Sequence, residues 1–200
     1  GFDPSQFGGF GGFGGGMGGF DSIFDQLFGG MGGGQRQRLA IARAIVLKPR
    51  VLVADEPVSM LDVSIRAGIL NLLRRLRGEM ELSVIYISHD LSTIRYLCDT
   101  TAVMYLGKAV EYGPTEPVMT RPAHPYTQLL LSAVPVPDPD LVRERITVDL
   151  EPPDQIHLPP GCRFAPRCPV RQERCTAVPP AEVEIAPGHR AACHLAAPGR

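Results

Sequence analysis

Two apolar runs of strand length constrain the fold of this chain more than any other feature, because each ends in chemically active side chains. The first is Val51-Leu-Val-Ala-Asp-Glu-Pro57 and the second is Leu82-Ser-Val-Ile-Tyr-Ile-Ser-His-Asp90. Short apolar runs that do not alternate with polar residues have the pattern of strands buried in a parallel sheet. Between them Ile65, Ile69, Leu72, Leu73 and Leu76 fall on one face of a helix that runs through Arg77, with Gly78 as its expected stop. Upstream, QRQRLAIARAIVL has helical periodicity and is closed by Lys48 and Pro49. Downstream, a short helix over Leu91 to Leu97 precedes TAVMYLG and KAVEYG, a hairpin expected to turn at Gly107-Lys108. Strand, helix, strand and helix in this order predict an α/β unit, a mostly parallel sheet with helices against it.

The flanks differ in character. Residues 1–34 hold 15 of the 22 glycines and seven of the eight phenylalanines, a composition that cannot build a packed core. They are expected to form a flexible segment with one short helix around Ser22 to Phe28. Residues 35–133 carry the α/β pattern, and residues 134–200 form a third segment with 13 of the 20 prolines and four of the five cysteines. A formal net charge of −1, with no basic stripe, gives no case for a nucleic-acid partner. No apolar run approaches the roughly 18 residues of a membrane span, so a soluble cytoplasmic chain is expected.

Asp55 and Glu56 stand where the first strand meets its C-terminal edge, the edge at which doubly wound sheets bind ligands. One carboxylate there can hold Mg²⁺ through water, and a second can orient or deprotonate the water that attacks a phosphoryl group. The alternative is a strand that simply ends in solvated acids. His89 follows the second strand, 33 residues after Glu56 and across one helix, so it reaches the same edge. A histidine there can bond a terminal phosphate and fix the water, though a lone strand-end histidine is often structural. Ser88, His89 and Asp90 cannot form a hydrolase triad, because three successive side chains do not converge. Gly33 and Gly34 open the first helix, whose bare N–H groups offer an anion site; the alternative is that these glycines only continue the glycine-rich stretch before them. A G-x-G-x-x-G match at Gly14, Gly16 and Gly19 has no preceding strand and is an accident of composition.

Taken together, GGGQRQRLAIARAIVLKPRVLVADEPVSMLDVSIRAGILNLL and YISHDL resemble the ABC-transporter ATPases over roughly 100 residues. The order is that of a signature helix, Walker B strand, D-loop and switch histidine. The resemblance implies a partial P-loop NTPase domain that uses ATP and Mg²⁺. Asp55 would serve Mg²⁺, Glu56 would be general base or water-polarising residue, and His89 would contact the γ-phosphate. Ser59 to Asp62 would be the D-loop at a dimer interface, and Gly33, Gly34 and Gln35 signature residues facing a second subunit's ATP. Met31-Gly32 replaces the family's Leu-Ser, and no G-x-x-x-x-G-K-[ST] occurs in the 200 residues. ATP hydrolysis by this chain alone is therefore not expected.

RPAHPYTQLLLSAVP, GCRFAPRCPVRQERC and ACH resemble the C-terminal region of oligopeptide and dipeptide importer ATPases. That resemblance implies a [4Fe–4S] cluster on Cys162, Cys168, Cys175 and Cys193, together with permease subunits and a second ATPase subunit as partners. It also implies a peripheral position on the inner face of a bacterial plasma membrane. From the residues alone, four thiolates suit a cluster or zinc equally, and His189 and His194 keep a Cys/His Zn²⁺ site open. Cys98 reads as core packing. The first 30 residues resemble the glycine/phenylalanine linker of J-domain co-chaperones, which points to a fusion, against a low-complexity insertion. Three functions follow: a peptide-importer ATPase lacking its phosphate loop, a metal-binding module on an ATPase remnant, or a co-chaperone-like adaptor working through the Gly/Phe arm.

Overall fold

A computed structural model describes residues 34–134 and 158–199. The Gly/Phe segment, its expected helix at Ser22 to Phe28, and Gly33 lie outside the described residues. The chain divides into two compact units, one ending at Ile87 and the other beginning at Ser88.

In the first unit, helix α1 (Gln35–Ile45) leads to strand β1 (Val51–Asp55), helix α2 (Val63–Glu79) and strand β2 (Ser83–Ile87). Gly34 precedes α1 at φ 96°, and a Cβ there would lie 2.5 Å from Ile65 Cγ2. Glycine is required twice over, by backbone and by space. Its carbonyl accepts the first helical bond from Arg38 N at 3.0 Å. Lys48 ends the helix in the left-handed region, with its N–H on Ile45 O.

α2 buries Ile69, Leu72, Leu73 and Leu76, as its periodicity predicts. It does not stop at Gly78 but continues to Glu79. The left-handed residue that reverses the chain is Glu81, at φ 51°. β1 and β2 pair in parallel, Val51 with Ser83 through Asp55 with Ile87. Only one face of β1 is buried, by Leu52 and Ala54, whereas Val51, Val53, Ile85 and Ile87 are exposed. The expectation of strands buried on both faces is thus met on one.

The second unit is not parallel, which corrects the expectation of a mostly parallel sheet. After helix α3 (Leu91–Leu97), strands β3 (Thr100–Tyr105) and β4 (Lys108–Pro114) form a hairpin. Leu106 and Gly107, at φ 47° and 75°, make its turn one residue earlier than expected. Two positive φ values match the right-handed twist of the flanking strands. Helices α4 (Thr115–Thr120) and α5 (Pro125–Ser132) follow, and in the last segment helix α6 (Arg174–Ala177) and strands β5 (Val183–Ala186) and β6 (His189–Ala191). The sheet order is β3-β4-β6-β5, every neighbour antiparallel. The proline-rich segment therefore supplies two strands to the hairpin's sheet, a pairing that short apolar segments without periodicity do not announce.

Its core gathers Val103, Tyr105, Val110, Val118 and Phe164, with Tyr126, Leu129 and Leu130 half-buried against them. Tyr105 meets Tyr126 and Phe164 edge-on, at ring separations of 4.7 and 5.2 Å. Such geometry suits the ring quadrupoles and adds to what burial contributes. Among the described residues, no helix is long and apolar enough to cross a membrane.

Candidate functional site

The parallel register pairs Asp55 with Ile87, so both strands of the first unit end on one edge. Glu56, the next residue, is held in the left-handed region at φ 45° while its N–H donates to Ile87 O at 2.9 Å. A non-glycine residue there carries backbone strain, which persists only where the surroundings enforce it and is frequent at functional sites. The consequence is directional. Asp55 stays exposed, while Glu56 is half-buried with its Oε2 inside. The following turn is tight: Ser59 donates to Glu56 O through its N–H at 3.3 Å and its hydroxyl at 3.0 Å. Asp62 then precedes α2 and accepts the helical bond from Arg66 N at 2.8 Å.

Of the expected residues, the structure joins Asp55, Glu56, Ser59 and Asp62 in one edge-and-turn. It places Gly34 and Gln35 at the start of α1, where Gly34 lies against Ile65 of α2. His89 is exposed two residues after β2, at the start of the second unit. Asp90 serves the helix instead, since its Oδ1 accepts from Ser92 N and Thr93 N and caps α3.

The second constellation lies within the second unit. Cys162, Cys168, Cys175 and Cys193 line one cavity of about 10 Å³, together with His124 and Phe164. None of the five cysteines is in a disulfide. Cys162 N donates to Cys175 O at 2.7 Å. A Cβ on Gly161 would lie 2.2 Å from that same carbonyl oxygen, so glycine permits the approach. Burial pushes the Cys168 and Cys193 thiols up, and the neighbouring thiols add to it. The backbone bond from Leu195 N to Cys193 Sγ, at 3.4 Å, works the other way. A cation would reverse this balance, because coordination deprotonates thiols.

The donor set fits a soft, thiolate-bound metal. Even so, among the described residues no group of three or more His, Cys, Asp or Glu side chains is arranged to hold an ion. The thiols face one cavity without closing into a ligand set. His189 is not at this cavity: its Nε2 lies 2.8 Å from Glu111 Oε1. His194 lines the cavity, but its Nε2 is engaged by Val178 O at 2.9 Å. The mixed Cys/His arrangement is therefore corrected for His189.

Comparison with known proteins gives these two constellations a common origin. Residues 17–59 match the ABC transporter model, and residues 110–175 match that of the oligopeptide/dipeptide transporter C-terminal region. A probable peptide ABC transporter ATP-binding protein of Sinorhizobium fredii is 48% identical over 168 residues, which cover 84% of this chain and 48% of the relative. Over most of its length this chain is similar to the C-terminal part of the ATP-binding proteins of peptide ABC transporters. A dipeptide transport ATP-binding protein of Haemophilus influenzae is 54% identical over 143 residues, 72% of this chain and 44% of that protein. A di/tripeptide transport ATP-binding protein of Pseudomonas aeruginosa is 46% identical over 164 residues, 82% and 50% of the two chains. The chain spans about half the length of the curated relatives it matches. None of these relatives supports the co-chaperone resemblance or a fusion, and the ABC transporter match begins at residue 17, inside the Gly/Phe stretch.

Within the ABC transporter match fall Asp55, Glu56 and Ser59, and within the C-terminal match fall Cys162, Cys168 and Cys175. Sequence reasoning missed a further group in this second region, Glu111 and Gly161. Glu111 sits in KAVEYG, where alternation marks it as an ordinary outward residue. The cue for Gly161 was its place directly before Cys162, which composition alone did not single out.

Proposed function

We propose that this chain provides the hydrolytic edge of the ATP-binding subunit of a peptide importer. The single observation that carries the proposal is Glu56, held beside exposed Asp55 at the C-terminal edge shared by β1 and β2. ATP with Mg²⁺ supplies the phosphoryl group and the charge neutralisation that its transfer requires. Asp55, exposed at the strand end, is the residue that would hold Mg²⁺ through water. Glu56 would accept the proton of the attacking water at its carboxylate, and the family resemblance gives His89 a contact with the terminal phosphate. Ser59 and Asp62 in the turn, with Gly34 before α1 and Gln35 at its start, would face a second ATP-binding subunit. The phosphate-cradling motif G-x-x-x-x-G-K-[ST] is not among these 200 residues. Hydrolysis would require such a loop at Glu56, with permease subunits anchoring the subunit at the cytoplasmic face of the membrane.

The test is ATP turnover by the chain assembled with permease subunits and a second ATP-binding subunit. Glu56→Gln should lower turnover by about 10² or more while ATP binding persists, the range for loss of a positioned general base. Turnover equal to that of the unsubstituted chain would reject the assignment.

A second reading, carried by the four thiols facing one cavity, assigns a thiolate-bound metal centre to the last segment. Cys162, Cys168, Cys175 and Cys193 would hold a [4Fe–4S] cluster, with structural Zn²⁺ as the competing outcome. Anaerobically purified chain should show the broad visible absorption of thiolate-bound iron; bound zinc without it removes the cluster in favour of a zinc site.

A further inference from the structure

Close to the cysteine cavity lies a polar cluster that the hydrolytic edge does not use. Glu111 of β4 is 1% exposed, and His124 and His189 are 1% and 3% exposed. The Glu111 carboxylate accepts three hydrogen bonds. Ala123 N donates to Oε1 at 2.8 Å, His124 N donates to Oε2 at 3.0 Å, and His189 Nε2 lies 2.8 Å from Oε1. Burying a carboxylate is expensive unless its lone pairs are met, and these three contacts meet them.

The three donors come from two parts of the chain, residues 123–124 and His189, and both lead to the cavity. His124 lines it, and its ring is fixed because Nδ1 accepts from Tyr126 N at 3.0 Å, capping α5. His189 opens β6, which pairs with β4 and ends two residues before Cys193. Ala192 N then donates to Val110 O at 2.8 Å, so the strand beside Glu111 also fixes the residue just ahead of that thiol. Even Gly113 serves this arrangement: a Cβ there would sit 3.0 Å from both Cα and Cδ2 of His189.

We infer that Glu111 is a positioning residue for the cysteine cavity, holding the wall formed by His124 and the strand that delivers Cys193 in one register. The inference deepens the proposed metal centre and rests on it for its purpose, though not for its geometry. A buried polar cluster of this kind is weak as a source of net stability, since apolar replacements of equal volume often stabilise as well. What an apolar pair cannot do is fix donors from two distant segments, 123–124 and 189, relative to β4. Neither can glutamine, whose NH₂ would oppose one of the backbone N–H donors.

The experiment uses the full chain, reduced and metal-free, and follows iodoacetamide alkylation of each cysteine by peptide mass spectrometry. Glu111→Gln should speed alkylation of Cys175 and Cys193 about tenfold, measured where the variant is still folded, while Cys98, at the end of α3, changes little, as for loss of a supporting outer partner. His189→Leu should act in the same direction, and His189→Gln, which keeps an N–H donor, should restore the slow rates. Unchanged rates in Glu111→Gln overturn the inference. So does an increase shared by Cys98, which would mark general loosening. In parallel, each protein is reconstituted with ferrous iron and sulfide. Failure of the unsubstituted chain to take up iron would remove the cluster reading, while the alkylation rates still decide the role of Glu111.

Discussion

Gly161→Ala is the sharpest single-atom perturbation that the structure offers. The added Cβ would lie 2.2 Å from Cys175 O, 2.7 Å from Thr176 C and 2.9 Å from Cys175 C. All three are backbone atoms, so no side chain can swing aside. The segments at 161–162 and 175–176 must separate until the nearest distance passes 3.0 Å. That movement breaks the 2.7 Å bond from Cys162 N to Cys175 O. Loss of such a bond costs about 1 kcal/mol, and forcing an extra carbon into a packed site costs about 1–3 kcal/mol. A destabilisation of about 2–4 kcal/mol follows from the two together. Two thiols of the cavity are carried on those segments, so their separation also widens.

Urea unfolding followed by near-ultraviolet circular dichroism is the assay, because Tyr105 and Tyr126 pack in this unit and report its tertiary order. The midpoint should fall with the slope unchanged. Iron or zinc uptake should fall with it. A loss below about 0.5 kcal/mol, the ordinary range for a neutral surface change, would refute the close approach at Gly161.

Other outcomes follow from the same geometry. Gly34→Ala meets both φ 96° and Ile65 Cγ2 at 2.5 Å, and should destabilise the first unit by about 1–3 kcal/mol, read as faster amide exchange along α1. Burial lowers the His124 pKa from 6.5 to about 4, against the opposing pull of Glu111. The folded state then binds fewer protons than the unfolded one between those values. Stability from this residue is present above pH 6.5 and is lost as pH falls toward 4, by about 3 kcal/mol in all. Urea midpoints of the metal-free chain should show that decline, and His124→Asn, which retains a cap, should flatten it.

How much was legible in the sequence depended on the range of the interactions involved. β1, β2 and α2 were visible because unbroken apolar runs and 3.6-residue periodicity are local signals. The reach of α2 past Gly78 was not, since a helix interior tolerates glycine and the reversal fell to Glu81 instead. Asp55, Glu56 and His89 could be named from order and spacing, yet the left-handed backbone of Glu56 left no mark in its residue type. The antiparallel sheet escaped because β6 contributes only three residues and pairs with a strand 78 positions away, the separation of His189 from Glu111. Glu111 escaped for the same reason: its burial is decided by donors 12, 13 and 78 residues distant.

The most direct test of the hydrolytic assignment is ATP turnover with and without Glu56→Gln, measured on the chain assembled with permease subunits and a second ATP-binding subunit. The substitution should lower the rate by about 10² or more with ATP still bound. An assembly in which Glu56→Gln turns over at the unsubstituted rate would contradict the assignment.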